Sequence, residues 1–217
     1  MYIGRIVSVA MTPAGEVAGL YRVSSRSFPN RTAVVDDAKV RIVPKAGHEG
    51  DVLKNPYIAY NCVRVVRENT IAVVTNGSQT DPIAEKIEQG MSIRDALALS
   101  HLAMDFEKDQ YNTPRISAVV DRVKKTGWLA TIRDNGLEVR EMPLEPGYFF
   151  YVATYEENTV SLEQGDTCEF SDAVSACNFI LGEGVFAERT NPVTAVCAVA
   201  AGPGFSLLAK DAAAVGG

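Results

Sequence analysis

From Tyr2 to Ala10 apolar and polar positions alternate, the period of a strand with one buried face. Thr12-Pro13-Ala14-Gly15 is a turn signal, and Val17 to Ser27 follows as a second strand, so the chain opens on a predicted hairpin. Further β-type runs rich in Val, Ile and Tyr cover Thr32 to Pro44, Tyr57 to Val66 and Thr70 to Thr75, where Asn76-Gly77 closes the sheet-like portion. Asp81-Pro82 then starts a helix that Gly90 stops. A second helix begins at Ser92, with Asp95 as a capping-box-like partner. Its apolar stripe through Ile93, Ala96, Leu97, Ser100, Ala103 and Met104 predicts helix to about Asp109, before the break at Asn112-Thr113-Pro114.

The second half repeats this order. Strands are predicted at Ile116 to Arg122, Trp128 to Arg133, Leu137 to Glu141 and Phe149 to Tyr155, with Asp134-Asn135-Gly136 as a hairpin turn, then a helix from Ser171 to Leu181. Val193 to Ala201 and Phe205 to Lys210 make a last hairpin around Gly202-Pro203-Gly204, and Asp211 to Gly217 reads as a frayed tail. Hairpins in place of strand–helix–strand alternation imply mostly antiparallel sheets with helices in their own layers, an α+β layered sandwich. No internal repeat or low-complexity linker divides the chain, so residues 1–217 are read as one domain.

Composition narrows the function classes. Hydrophobic residues make up 47% and charged residues 22% of the 217, an ordinary globular balance. The net charge of -6 argues against a nucleic-acid partner, which needs a basic face, so an anionic ligand must find a local cationic pocket. Cys62, Cys168, Cys177 and Cys197 are scattered and only two histidines are present, which fits small buried thiols in a reducing compartment better than a disulfide framework or a zinc site. The start does not read as a secretory signal, and no window reaches the apolar length of a membrane span. There is no Walker-type phosphate loop, no Gly-x-Gly-x-x-Gly after a strand and no His-Glu-x-x-His.

Three places carry possible chemistry. Arg22, Arg26 and Arg31 are interleaved with Ser24, Ser25, Ser27 and Asn30, a donor set suited to phosphate and equally compatible with a solvated edge strand. Strand parity puts Arg22, Ser24 and Arg26 on one face and Tyr21 and Val23 on the other. Tyr57, Tyr60 and Asn61 lie in an apolar run, where tyrosines usually pack and a phenol can also serve as an acid. Glu107, on the small-residue side of the second predicted helix, is a buried carboxylate that needs either an arginine partner or a catalytic purpose. Asn112 and Arg115, in the break that follows, are placed to cap that helix or to reach a ligand.

The blocks MYIGR (Met1 to Arg5), YRVSSRSFPNR (Tyr21 to Arg31), NPYIAYNC (Asn55 to Cys62), NGSQTD (Asn76 to Asp81) and AMDFEKDQYNTPRI (Ala103 to Ile116) stand in an order that resembles the archaeal-type IMP cyclohydrolases. The resemblance covers nearly the whole chain and thins after about Leu137. It implies a four-layer αββα sandwich like that of the N-terminal-nucleophile hydrolases, used without their processed residue 1, since this chain begins Met1-Tyr2. It also implies closure of 5-formamidoimidazole-4-carboxamide ribonucleotide to IMP with loss of water, the last step of purine synthesis, without metal or organic cofactor. Carried onto this sequence, Tyr60 and Glu107 become an acid–base pair and Arg31 polarises the formyl oxygen or positions the carboxamide. Arg22 or Arg26 with Ser25 would hold the phosphate, and Asn61, Asn76 and Asn112 would contact base or ribose. A cytoplasmic homo-oligomer whose partners are the purine nucleotide precursor and IMP, with no membrane, completes the expectation. An amide hydrolase with an internal or processed nucleophile and a non-catalytic nucleotide-binding module are the alternatives.

Overall fold

The computed structural model describes residues 1–213. Strands β1 (Ile6–Met11) and β2 (Val17–Ser24) form the opening hairpin. Then β3 (Arg31–Asp36) and β4 (Lys39–Pro44) are followed by a short helix, α1 (Asp51–Lys54), and by β5 (Tyr60–Val66) and β6 (Ile71–Thr75). Helices α2 (Thr80–Glu88) and α3 (Ile93–Met104) precede β7 (Arg115–Asp121), β8 (Thr126–Arg133) and β9 (Gly136–Met142). The chain ends with β10 (Tyr148–Ala153), β11 (Gly165–Thr167), α4 (Ala173–Gly182), β12 (Pro192–Ala201) and β13 (Gly204–Asp211).

These strands make two antiparallel sheets. One runs β11-β10-β1-β2-β12-β13, so the N-terminal hairpin lies at the centre of a sheet completed by the C-terminal part of the chain; the other runs β3 to β9 in chain order. Val7, Val9, Tyr21 and Val23 of the first sheet meet Tyr60, Val74, Ile116 and Val120 of the second in the inner core. On the outer face of the first sheet, Ile6, Leu20 and Phe149 pack with Cys177, Phe179 and Ile180 of α4. Against the second sheet, Val73, Val119 and Ala130 pack with Ile83, Ile87, Ala96 and Leu97 of α2 and α3. The layers therefore follow the order α4, first sheet, second sheet, α2 with α3. Burial on both faces explains why β1 and β2 tolerate almost no exposed position.

The predicted α+β class holds, and several boundaries move. Thr32 to Pro44 is a hairpin, turning at Asp37, whose φ of 52° is the left-handed conformation that Asp accepts in a tight turn. Tyr57 belongs to a 3-10 turn, Pro56–Ile58, capped by the Asn55 side chain accepting from the Tyr57 amide, and the strand begins at Tyr60. The helix predicted to reach Asp109 stops at Met104, because Asp105 takes φ 55° and its carboxylate accepts from the Phe106 amide. Asp211, assigned to the tail, ends β13 opposite Thr194 and accepts from Thr32; residues 214–217 of that tail lie outside the described residues. All four cysteines are buried and free.

Candidate active site

A cavity of about 820 Å³ opens at one end of the sandwich. The N-terminal segment, the loop after β2, the turn after α1, the loop after α3 and the end of β10 converge on it, through Arg5, Arg26, Arg31, Tyr57, Glu107 and Tyr155 among others.

Arg5 is held from both sides of its backbone: its amide donates to Thr154 Oγ1 at 3.0 Å and its carbonyl accepts from the Thr154 amide at 2.9 Å. The approach is possible because residue 4 is glycine at φ +75°; a Cβ there would lie 2.1 Å from Thr154 Oγ1. The Arg5 fork meets the Glu107 carboxylate, Nη2 to Oε2 at 3.0 Å and Nη1 to Oε1 at 3.5 Å. Arg115 Nη1 stands 3.8 Å from the same Oε1 and also donates to Gln79 Oε1 at 3.1 Å. Gln79 in turn donates to Asn76 Oδ1, and Asn76 is fixed by the Pro114 carbonyl and the Ile116 amide. Gly77 leaves room for this chain, since a Cβ there would sit 2.9 Å from Arg115 Nη1 and 3.2 Å from Glu107 Oε1.

Glu107 is thus a loop residue, enclosed at 1% exposure, and the helical projection that first suggested its burial does not apply to it. Asp109 makes the loop, accepting from the amides of Tyr111 and Thr113 and from the Thr113 hydroxyl. Burial pushes the Glu107 carboxyl above its ordinary range, while Arg5 and Arg115 pull it down. Burial also works against the Arg5 charge, but Glu107 and the nearby phenols outweigh it and its pKa rises. The 3.0 Å fork decides for an ionised pair, with a carboxylate kept more basic than usual by desolvation.

Arg31 is buried at 4% exposure and donates from Nε to the Phe28 carbonyl at 3.0 Å. No bond from its terminal nitrogens is recorded among the described residues, so they can take an oxygen atom in the cavity. Tyr60 is 9% exposed and not one of the lining residues; its hydroxyl meets that of Tyr21 at 2.5 Å. Burial raises its pKa against the opposing pull of Arg31 and Arg5, so it is a neutral phenol at physiological pH. Ser25 lines the cavity and its Oγ accepts from the Phe28 amide, which leaves its own proton to donate. Arg26 is exposed at the cavity, its guanidinium 4.2 Å from the Tyr2 ring centroid.

The remaining expected contacts lie elsewhere. Arg22 does share a face with Ser24, and that face looks toward α4. Its Nη1 donates to the carbonyls of Ile180, Leu181 and Phe186, its Nη2 to those of Arg189 and Thr190, and its Nε to Ser24 Oγ. With no carboxylate beside it among the described residues, burial and then Arg189 pull its pKa down to about 10. Arg22 is a clamp on the end of α4, where the carbonyl ends of a helix favour a cation, and it is corrected as a phosphate ligand. Asn76 is enclosed in the network behind Arg115 and does not line this cavity. Asn61 donates to Asp81 at 3.0 Å, away from the cavity. Asn112 is an exposed turn residue at φ 49° and does not line the cavity.

Arg5, Lys54 and Tyr155 were not singled out from the sequence. Arg5 is the last residue of the block MYIGR and Lys54 directly precedes NPYIAYNC, whereas nothing around Tyr155 signals a site. Among the described residues no three or more His, Cys, Asp or Glu come together in a way that suits a metal ion.

Comparison with known proteins identifies the family. The family model described as IMP cyclohydrolase-like protein matches residues 2–204. A protein of Methanosphaera stadtmanae named IMP cyclohydrolase is 49% identical over 91% of this chain and 94% of its own length. One of Methanocella arvoryzae with the same name is 53% identical over 74% of this chain and 77% of its own, and one of Methanocaldococcus jannaschii is 39% identical over 97% and 99%. With the match running through every segment that builds the cavity, the chain belongs to the IMP cyclohydrolase-like family.

Proposed function

We propose that this protein closes 5-formamidoimidazole-4-carboxamide ribonucleotide to IMP and water, acting as one domain on an N-terminal-nucleophile-hydrolase-like αββα sandwich, in the cytoplasm and as a homo-oligomer. The observation that carries the reading is the buried Glu107 side chain, paired with Arg5 at 3.0 Å, in the wall of a nucleotide-sized cavity that also holds the unspent guanidinium of Arg31.

The carboxamide nitrogen is a weak nucleophile, so the enzyme must hold it against the formyl carbon and manage two protons. As the N–C bond forms, Glu107 takes a proton from the nitrogen and the formyl oxygen takes one from Tyr60, with Arg31 stabilising charge on that oxygen. The carbinol C–O bond then breaks, Glu107 returns its proton to the departing hydroxide as water, and the second ring nitrogen gives its proton to the Tyr60 phenolate. Both residues end as they began, and no bond to the enzyme forms. The tyrosine rings of Tyr57 and Tyr111 offer flat apolar surface for the base. Arg26 with Ser25 holds the phosphate at the exposed rim.

The test is incubation of the purified protein with the formamido ribonucleotide while the ultraviolet absorbance of IMP is followed; folded protein that produces none is a binding module and overturns the reading. The two arginines are separable in the same assay. Arg26→Ala is expected to raise KM roughly tenfold, the scale of one charge-assisted hydrogen bond, with an unchanged urea midpoint. Arg22→Met leaves five carbonyls without their donor and is expected to cost about 3 kcal/mol of unfolding free energy in urea titrations.

A further inference from the structure

Tyr21 stands on β2 and Tyr60 on β5, so the 2.5 Å contact between their hydroxyls crosses the space between the two sheets. One hydroxyl donates and the other accepts. Tyr21 is wholly enclosed, and Tyr60 Oη is the one partner recorded for its hydroxyl among the described residues. Were Tyr21 the acceptor, its own proton would have no acceptor among the described residues, which is costly for a buried donor. Tyr21 therefore donates. Tyr60 keeps a small exposed surface, and its own proton must point away from Tyr21. The charged and titratable groups that face it are Tyr21 from β2, Arg31 from the start of β3, Arg5 from the segment before β1 and Cys62 from its own strand. Arg5 and Arg31 both line the cavity, so Tyr60 stands directly behind the wall that these two arginines make.

We propose that Tyr21 is a positioning residue for ring closure: by donating to Tyr60 it turns the Tyr60 proton toward the substrate and holds the phenolate once that proton has left. This role rests on the ring-closure reading above. It accounts for a tyrosine in the middle of an apolar strand, where a phenylalanine would fill the same volume.

The experiment is steady-state kinetics on the formamido ribonucleotide for Tyr21→Phe, Tyr60→Phe and the double variant, with IMP affinity measured by calorimetry. Tyr21→Phe is expected to lower kcat about tenfold with KM and IMP affinity within about twofold of wild type. The alkaline limb of its kcat profile moves to higher pH, because the phenolate has lost a donor. In the Tyr60→Phe background the second substitution changes kcat by less than about twofold, as expected of a residue that acts through Tyr60. Folded Tyr21→Phe with wild-type kcat and an unmoved limb overturns the role, and so does an additive loss in the double variant, which marks simple packing. Wild-type protein that makes no IMP removes the ring-closure reading and this role with it, a result distinct from either. If Tyr21→Phe does not fold, 3-fluorotyrosine installed at position 21 keeps the shape and strengthens the donor; the limb then moves to lower pH, and an unmoved limb overturns the role.

Discussion

Glu107→Gln is expected to lower kcat by about two orders of magnitude or more, the scale of a lost acid–base group, while KM stays the same or falls. The substitution keeps the side-chain volume and an oxygen for Arg5, so the loop built by Asp109 and the Gln79–Arg115 support remain. What goes is the capacity to take a proton, and with it the negative charge. Arg5 and Arg115 then present uncompensated positive charge to an anionic substrate, which is why binding does not suffer. The check is kcat and KM beside a urea midpoint. Turnover within about threefold of wild type in a folded variant would remove Glu107 from the chemistry.

Arg5→Met should act on the same carboxylate through its charge. Arg5 is the larger of the two cationic influences that hold Glu107 down, so its loss lets desolvation push the carboxyl further above the ordinary 4.5. The acid limb of the kcat/KM profile is expected to move up by about one pH unit or more. Stability follows with a definite sign. A carboxyl whose pKa is raised by folding contributes fully below its unfolded pKa and loses that contribution as pH rises through the folded value. The variant, with the higher folded pKa, loses more. Its deficit against wild type is therefore small near pH 4.5 and below, and grows toward neutrality to about 2 kcal/mol. This is less than the roughly 3–5 kcal/mol of a sealed pair because Arg115 remains beside Glu107. Urea titrations across that range test it; a deficit that does not change with pH would show that Glu107 is not the group Arg5 serves.

Periodicity was sufficient for most elements. The opening and closing hairpins, the Ser92 cap on α3 and the strand predicted from Ile116 were all legible because each is signalled within a few residues by alternation, a cap or a turn. Two of the misplaced boundaries share one cause: a local backbone feature interrupts a pattern that composition would continue. Asp37 turns what looked like one strand, and Asp105 ends a helix whose apolar stripe points onward.

The candidate site divides along the same line. Ser25, Arg26, Arg31 and Glu107 were found in the sequence and do border one cavity, since polar groups clustered in apolar stretches mark a place where water is excluded but charge is needed. Arg22 carried the same signal and belongs to a helix end on the far side of its sheet. Parity along a strand separates two faces and does not say which of them meets α4 and which the other sheet. Only the stacking of the layers decides that. It also decides that residues 5 and 107, and 21 and 60, meet at all, because these contacts join segments whose separation along the chain leaves no trace in local pattern. The chain by itself thus determined its elements, its α+β class and the kinds of groups available for chemistry. The tertiary structure alone determined which of those groups share a desolvated space, and a carboxylate or a phenol takes its basicity from that space.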